Sequence, residues 1–322
     1  MSKLVRPITS DEVAAFNLAG VVLLRGVLDL TAVNMLRRCI DEATETLAQS
    51  AAGYDLSALT KAAESNDSAM LAAESGGQHD VSTIADYIAQ SGKPLLFDKR
   101  AKATGSFLLD TGVAARNRNF YKFCTRSAVP EIAGALLNSD RVHFYGDQIF
   151  VKEPQTREKT AFHQDAPYFE IAGDQCCVMW IPVDPVTAET GGMMYVRGSH
   201  REKRLYAPNV FVSQTPLPGS EGDELPDYDN DLDRPDIIQF DAEPGDVIVH
   251  HFRTVHGAGG NLSRYQVRRA ASLRYCGDDI RFKSRPGVPR QLHQKTCLAD
   301  GDPLMGDDFP VVWRRPRSVE AA

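Results

Sequence analysis

The segment Phe162-His163-Gln164-Asp165 sets an imidazole and a carboxylate two residues apart. On a β-strand, alternation sends both to one face, so a nitrogen and an oxygen converge on one point. Two histidines and a carboxylate together occupy one face of an octahedron and leave three positions open for substrate-derived ligands and oxygen. The missing third ligand should therefore be a histidine from a distant strand. His143, His200, His250, His251 and His256 compete for that place. His256 is favoured, because in Val255-His256-Gly257-Ala258-Gly259-Gly260-Asn261 a strand gives way to a glycine-rich turn that lets backbone and small ligands approach closely. His250 and His251 adjoin the apolar run Val247-Ile248-Val249 and read as strand residues that pack or bond, and His200 follows a turn and reads as structural or surface-facing. A lone histidine is usually a satisfied or exposed side chain, so the metal reading depends on three residues converging.

A cation lies downstream. Arg268-Arg269-Ala270-Ala271-Ser272 opens with adjacent arginines at the mouth of a strand, and alternation sends one inward and the other to solvent. An inward arginine needs an anionic partner, and its planar fork suits a carboxylate. The competing reading is an ion pair with one of the protein's own acids.

The elements that must position these groups fall into two parts. Thr9 and Glu12 have capping-box spacing, with Gly20 to close the helix, and 21–24 reads as a buried strand. Asp29 can cap a long helix whose apolar positions Val33, Leu36, Ile40, Ala43 and Leu47 recur at steps of three and four. Residues 50–105 read as a helical or loop insertion, with a helical piece at 81–88, and another helix is expected around Pro130, stopping near Asn138. From Arg141 onward, β-rich runs at 142–151, 160–169, 176–183, 193–196, 246–251 and 270–275 are mostly separated by turn residues. The expected class is α+β, a jelly-roll core with amino-terminal helices packed on the sheet and long insertions. The whole of 1–322 reads as one domain: a mainly helical part over 1–140, the core over 141–277 with an acidic insertion at 205–240, and a carboxy-terminal extension over 278–322. Within that insertion Asp227, Asp229 and Asp231 imitate the opening of a calcium loop, but Leu232 replaces the required glycine and Ile238 the closing glutamate, so the stretch reads as a solvated loop.

Composition excludes other classes. Of 322 residues, 43% are hydrophobic and 25% charged, an ordinary globular balance. The 36 basic and 43 acidic residues leave a net charge of −7, which argues against nucleic acid as a partner. No apolar stretch approaches the ~18 residues needed to span a bilayer. The amino terminus has no apolar signal region, so a cytoplasmic location is expected. The six cysteines are scattered, without zinc or redox spacing, and a homo-oligomer remains compatible with the sequence.

His163-Gln164-Asp165, Gly191-Gly192-Met193 leading to Arg197-Gly198-Ser199-His200, the Pro244-Gly245-Asp246 turn, His256-Gly257 with Asn261, and the Arg268-Arg269-Ala270 strand together resemble the phytanoyl-CoA dioxygenase (PhyH) family of iron(II)- and 2-oxoglutarate-dependent oxygenases. The resemblance spans roughly 16–277 and is most specific from Val142 on. It implies that His163, Asp165 and His256 are the catalytic iron ligands and that Arg268 holds the far carboxylate of 2-oxoglutarate, with Arg269 in reserve. It further implies that Trp180 lines the co-substrate pocket and that Gln148 and Ile149 face the metal. Ala258 stands where the family often has serine. The implied reaction consumes O2, releases succinate and CO2, and oxidises a C–H bond of a small-molecule substrate. Related halogenases replace the carboxylate ligand with Ala or Gly, so Asp165 implies hydroxylation, desaturation or another oxidation. Two other readings keep the same triad: a cupin-like metalloenzyme with no need of Arg268, and a non-catalytic metal-binding or sensor protein.

Overall fold

The computed structural model describes residues 3–65, 81–288, 294–295 and 297–316. Thr9 caps α1 (Ser10–Ala19) through the expected capping box, and Gly20 ends it at φ +76°, a conformation that glycine adopts freely. β1 (Val21–Leu24) follows, and the Asp29 carboxylate caps α2 (Leu30–Glu45). Val33, Leu36, Ile40 and Ala43 form its buried stripe; Leu47 lies just beyond, in a short 3-10 turn.

The 50–105 region supplies β2 (Gly53–Asp55), α3 (Leu56–Ser65) and α4 (Val81–Ser91); its middle lies outside the described residues. β3 (Phe107–Thr111) and α5 (Arg118–Arg126) come next, neither of them expected from the sequence, and then α6 (Val129–Leu136) with Pro130 in its first turn. The strands after it are β4 (Arg141–Lys152), β5 (Thr160–His163), β6 (Ile171–Ala172), β7 (Cys176–Pro182), β8 (Met193–Val196), β9 (Ile237–Gln239), β10 (Val247–His251), β11 (His256–Ala258), β12 (Arg268–Cys276), β13 (Arg281–Phe282) and β14 (Val311–Arg314).

These strands form two antiparallel sheets and a ribbon. The larger sheet runs β1-β10-β7-β12-β4-β3-β2, with β14 also paired to β4; the smaller runs β5-β11-β8-β9, and β13 pairs β6. Alternation decides which face of the larger sheet meets the helices. Cys177, Met179 and Ile181 of β7, Ala271, Leu273 and Tyr275 of β12, Ile149 and Val151 of β4, and Val247 and Val249 of β10 share one core with α1, α2, α5 and α6. The opposite face turns Gln148, Trp180, His250, Arg268 and Ser272 toward the smaller sheet, and a cavity lies between the two. Both faces being covered, β7 and β10 are buried along their whole length.

The insertion is tied to this frame by buried polar contacts. Ser57 and Thr60 of α3 donate to the Glu158 carboxylate at 2.7 and 2.9 Å. The acidic stretch is largely solvated as expected, with Glu221, Asp223, Glu224, Asp227, Asp231 and Asp233 exposed, but Asp229 is 7% exposed and accepts from Gln214 Nε2 at 2.6 Å, while Tyr228 packs on Phe162. The gain is satisfaction of a backbone donor beside the site, since Asp229 also accepts from the Phe162 amide.

Candidate metal centre

His163 and His256 face each other directly across the β5–β11 pairing, and their ring centroids are 4.3 Å apart. Each donates Nδ1–H to the carbonyl two residues earlier, Ala161 at 2.8 Å and Thr254 at 2.9 Å. A carbonyl can only accept, so the proton sits on Nδ1 and the Nε2 lone pair is free for a ligand. Burial keeps both rings neutral, with His163 pushed down to about 3 and His256 to about 4.

Asp165 reaches the same point by a different route from simple alternation. β5 ends at His163, and Asp165 has helical backbone angles (φ −75°, ψ −32°) at the head of a 3-10 turn, so a bend of the chain brings its carboxylate in. Burial alone would raise its pKa, but the surrounding imidazoles, His256 foremost and then the hydrogen bond from His250, hold it well below the usual carboxylate range. One ligand atom from each of His163, Asp165 and His256 lies within 4.8 Å of the others, and all three residues are buried. Two neutral imidazoles and an ionised carboxylate converging in a closed pocket fit a non-haem divalent metal with open coordination positions.

Around this triad the cavity is lined by Gln148, Phe150, Trp180, Phe211, Arg268 and Ser272, among others. Arg268 is 1% exposed, its Nε has no hydrogen-bond partner, and its guanidinium lies 5.6 Å from the Trp180 ring. Arg269 points the other way and is spent on Asp184 and Asp41 at 2.7 and 2.6 Å, which matches the predicted split of the pair. Ile149 is corrected: neighbouring residues on a strand face opposite ways, so Gln148 lines the cavity while Ile149 sits in the helix-side core. Ala258 packs in a core cluster with Trp180 and Ala270.

Three side chains near the centre have roles the sequence did not assign. His250, expected to pack or bond within its strand, lines the cavity and bonds Asp165. Arg274 is 3% exposed, donates to Gln148, and keeps Nε and one terminal nitrogen without partners. Parity places both on the cavity face, since His250 shares a face with Ile248 and Arg274 continues the inward series Arg268, Ala270, Ser272, but it does not say what they meet there. Phe211 had no such signal: it comes from the long insertion, and its ring lies 5.0 Å from that of His163. His251 turns away and bonds the Asp174 carbonyl, and His200 bonds the Asn17 carbonyl.

The profile of the phytanoyl-CoA dioxygenase (PhyH) family matches residues 16–270, and the chain belongs to that family. A Caenorhabditis elegans protein described as a probable phytanoyl-CoA dioxygenase is 25% identical over 217 residues, 62% of this chain and 68% of that one. The fold is shared with a non-heme alpha ketoglutarate dependent carbocyclase, SnoK from nogalamycin biosynthesis, at a TM-score of 0.61 and 21% identity, covering 97% of this chain and 100% of the other. It is shared too with the epimerase SnoN in complex with Fe3+, alpha ketoglutarate and nogalamycin RO, at 0.61 and 17%, covering 94% and 98%. The chain is a non-haem iron, 2-oxoglutarate-dependent oxygenase, and iron, 2-oxoglutarate and O2 are its cofactors. Among the described residues, no helix is long and apolar enough to cross a membrane.

Proposed function

We propose that this protein hydroxylates a C–H bond of a small-molecule substrate, with His163, Asp165 and His256 holding iron and Arg268 holding the far carboxylate of 2-oxoglutarate. The observation that carries the reading is a buried guanidinium whose Nε has no hydrogen-bond partner among the described residues, beside three convergent metal-type ligands. A buried cation left unpaired costs several kcal/mol, and a carboxylate arriving with the co-substrate offsets that cost. This favours the oxygenase over a cupin-like enzyme or a sensor, neither of which needs Arg268.

When bound, iron and 2-oxoglutarate supply the oxidant: one oxygen atom of O2 goes to the C–H bond, the other to succinate, and CO2 leaves. The chain's own residues do the positioning. The two Nδ1–H bonds fix the imidazoles with Nε2 inward. Trp180 offers an aromatic face beside the Arg268 fork, and Phe150 and Phe211 exclude water from the reacting end. The cavity, with ≈ 30 Å³ open to the centres of water molecules, holds more than one water, and side chains that give way would enlarge it for the co-substrate. Phe211 is the natural one to move, because its backbone is held at φ +65°, a strained angle for a bulky residue. The two facing sheets would then form a double-stranded β-helix within one domain, with the described parts of 50–105 and the 205–240 segment beside its mouth setting the substrate.

Anaerobic addition of iron(II) and then 2-oxoglutarate, followed by visible absorption, tests the reading. A weak charge-transfer band that is absent in His163→Ala and diminished in Arg268→Ala is expected. Folded, iron-loaded protein without the band would overturn the co-substrate assignment.

A further inference from the structure

We infer that His250 is a positioning residue that orients the Asp165 carboxylate toward the metal, an inference that rests on the iron reading above. The two histidine ligands are aligned by carbonyls of their own chain segments. Asp165 has no such local support: it lies past the end of β5, and no sheet register fixes its side chain. His250, from β10 in the opposite sheet, donates Nε2–H to Asp165 Oδ2 at 2.8 Å. Among the described residues it is the one group that hydrogen-bonds this carboxylate. The same Oδ2 stands 3.7 Å from His256 Nε2, so the bond sets the oxygen's approach to the other ligands.

His250 is not a fourth ligand. The convergent donor set comprises His163, Asp165 and His256, and the Nε2 of His250 is already committed to the carboxylate. Its ring packs against those of His256, at 4.4 Å, and Tyr195, at 5.3 Å, so its own orientation is fixed by packing. That placement has a cost, since Nδ1 is buried without a hydrogen-bond partner. An unsatisfied buried polar atom is unfavourable by about 1–3 kcal/mol. An apolar ring would remove that cost but would leave the buried Asp165 carboxylate without its hydrogen-bond donor, so the imidazole here serves the carboxylate. Residues that bond a ligating carboxylate or imidazole typically change metal affinity 10–100-fold when removed.

The test is titration of metal-free protein with Co(II), read by its visible absorption, in the natural chain and in His250→Phe and His250→Gln. His250→Phe, which leaves the buried Asp165 carboxylate without its donor, is expected to melt below the natural protein while metal-free and to bind Co(II) about 10–100-fold more weakly. His250→Gln, which can still donate to Asp165, is expected to recover part of the loss. Natural affinity and an unchanged spectrum in His250→Phe would overturn the inference; if that ring does not fit, His250→Ala against His250→Gln makes the same comparison. Failure of the natural protein itself to take up Co(II) would overturn the metal reading, a result separate from any difference between variants.

Discussion

The charge states of the buried histidines are set by burial more than by pairing. His163, His251 and His256 are held neutral, at about 3, 3 and 4, with desolvation as the leading cause in each. An unfolded chain would protonate them near pH 6.5. Below that value the unfolded state binds more protons than the folded one, so the stability they contribute is complete above pH 6.5 and drains away toward pH 4. The slope is at most about 1.4 kcal/mol per pH unit for each histidine. Metal-free protein should thus melt several degrees lower at pH 5 than at pH 7.5; an unchanged melting temperature would contradict neutral burial. The same residues explain what a sequence can and cannot reveal. His163, Asp165 and His256 stand out because chemistry constrains their types and spacing. Strand parity set one of Arg268 and Arg269 inward, and the family resemblance chose Arg268. His250 stayed hidden because its role appears once two sheets are stacked, and nothing in Val247-Ile248-Val249-His250 announces what lies across the gap.

Elements carry the ligands with little slack. β11 is three residues long, yet it pairs β5 on one side and β8 on the other, so His256 is held from both edges. Gly257 permits this closeness: a Cβ there would lie 2.9 Å from both the Phe162 ring and the Thr160 carbonyl. The carbonyl belongs to the sheet and cannot retreat cheaply. Gly257→Ala should therefore destabilise the fold by about 1–3 kcal/mol and weaken metal binding by prising His256 from His163. Denaturant unfolding and a metal titration on one preparation would check both effects, and a variant with natural stability would show that β5 yields. At this scale the long periodic helix and the core strands were legible, because α2 and β7 bury recurring faces. β3 was not, since its place in the sheet is dictated by β4, distant in sequence. The bend that delivers Asp165 was also missed, because β5 ends at His163, six residues short of the expected 160–169 run, and leaves no mark on the pattern.

At the level of the whole molecule, one long strand organises the frame. β4 pairs β12 along one side, while its other side is shared by β3 over 148–152 and by β14 over 141–143. Trp313 of β14 also packs against Gly134 of α6, where a Cβ would come within 2.3 Å of its ring. The sequence of β14 is half exposed and carries no clear alternation, so it could not be recognised apart from its partner. Its position makes it an edge guard. Unpaired strand edges recruit further strands, and here the open stretch would adjoin an apolar helix contact. Removing residues 311–314 should leave the metal centre folded but convert a dispersed protein into one that associates edge to edge, growing with concentration in light scattering. The last strand, remote from the chemistry, would on this view govern how many copies of the oxygenase remain apart.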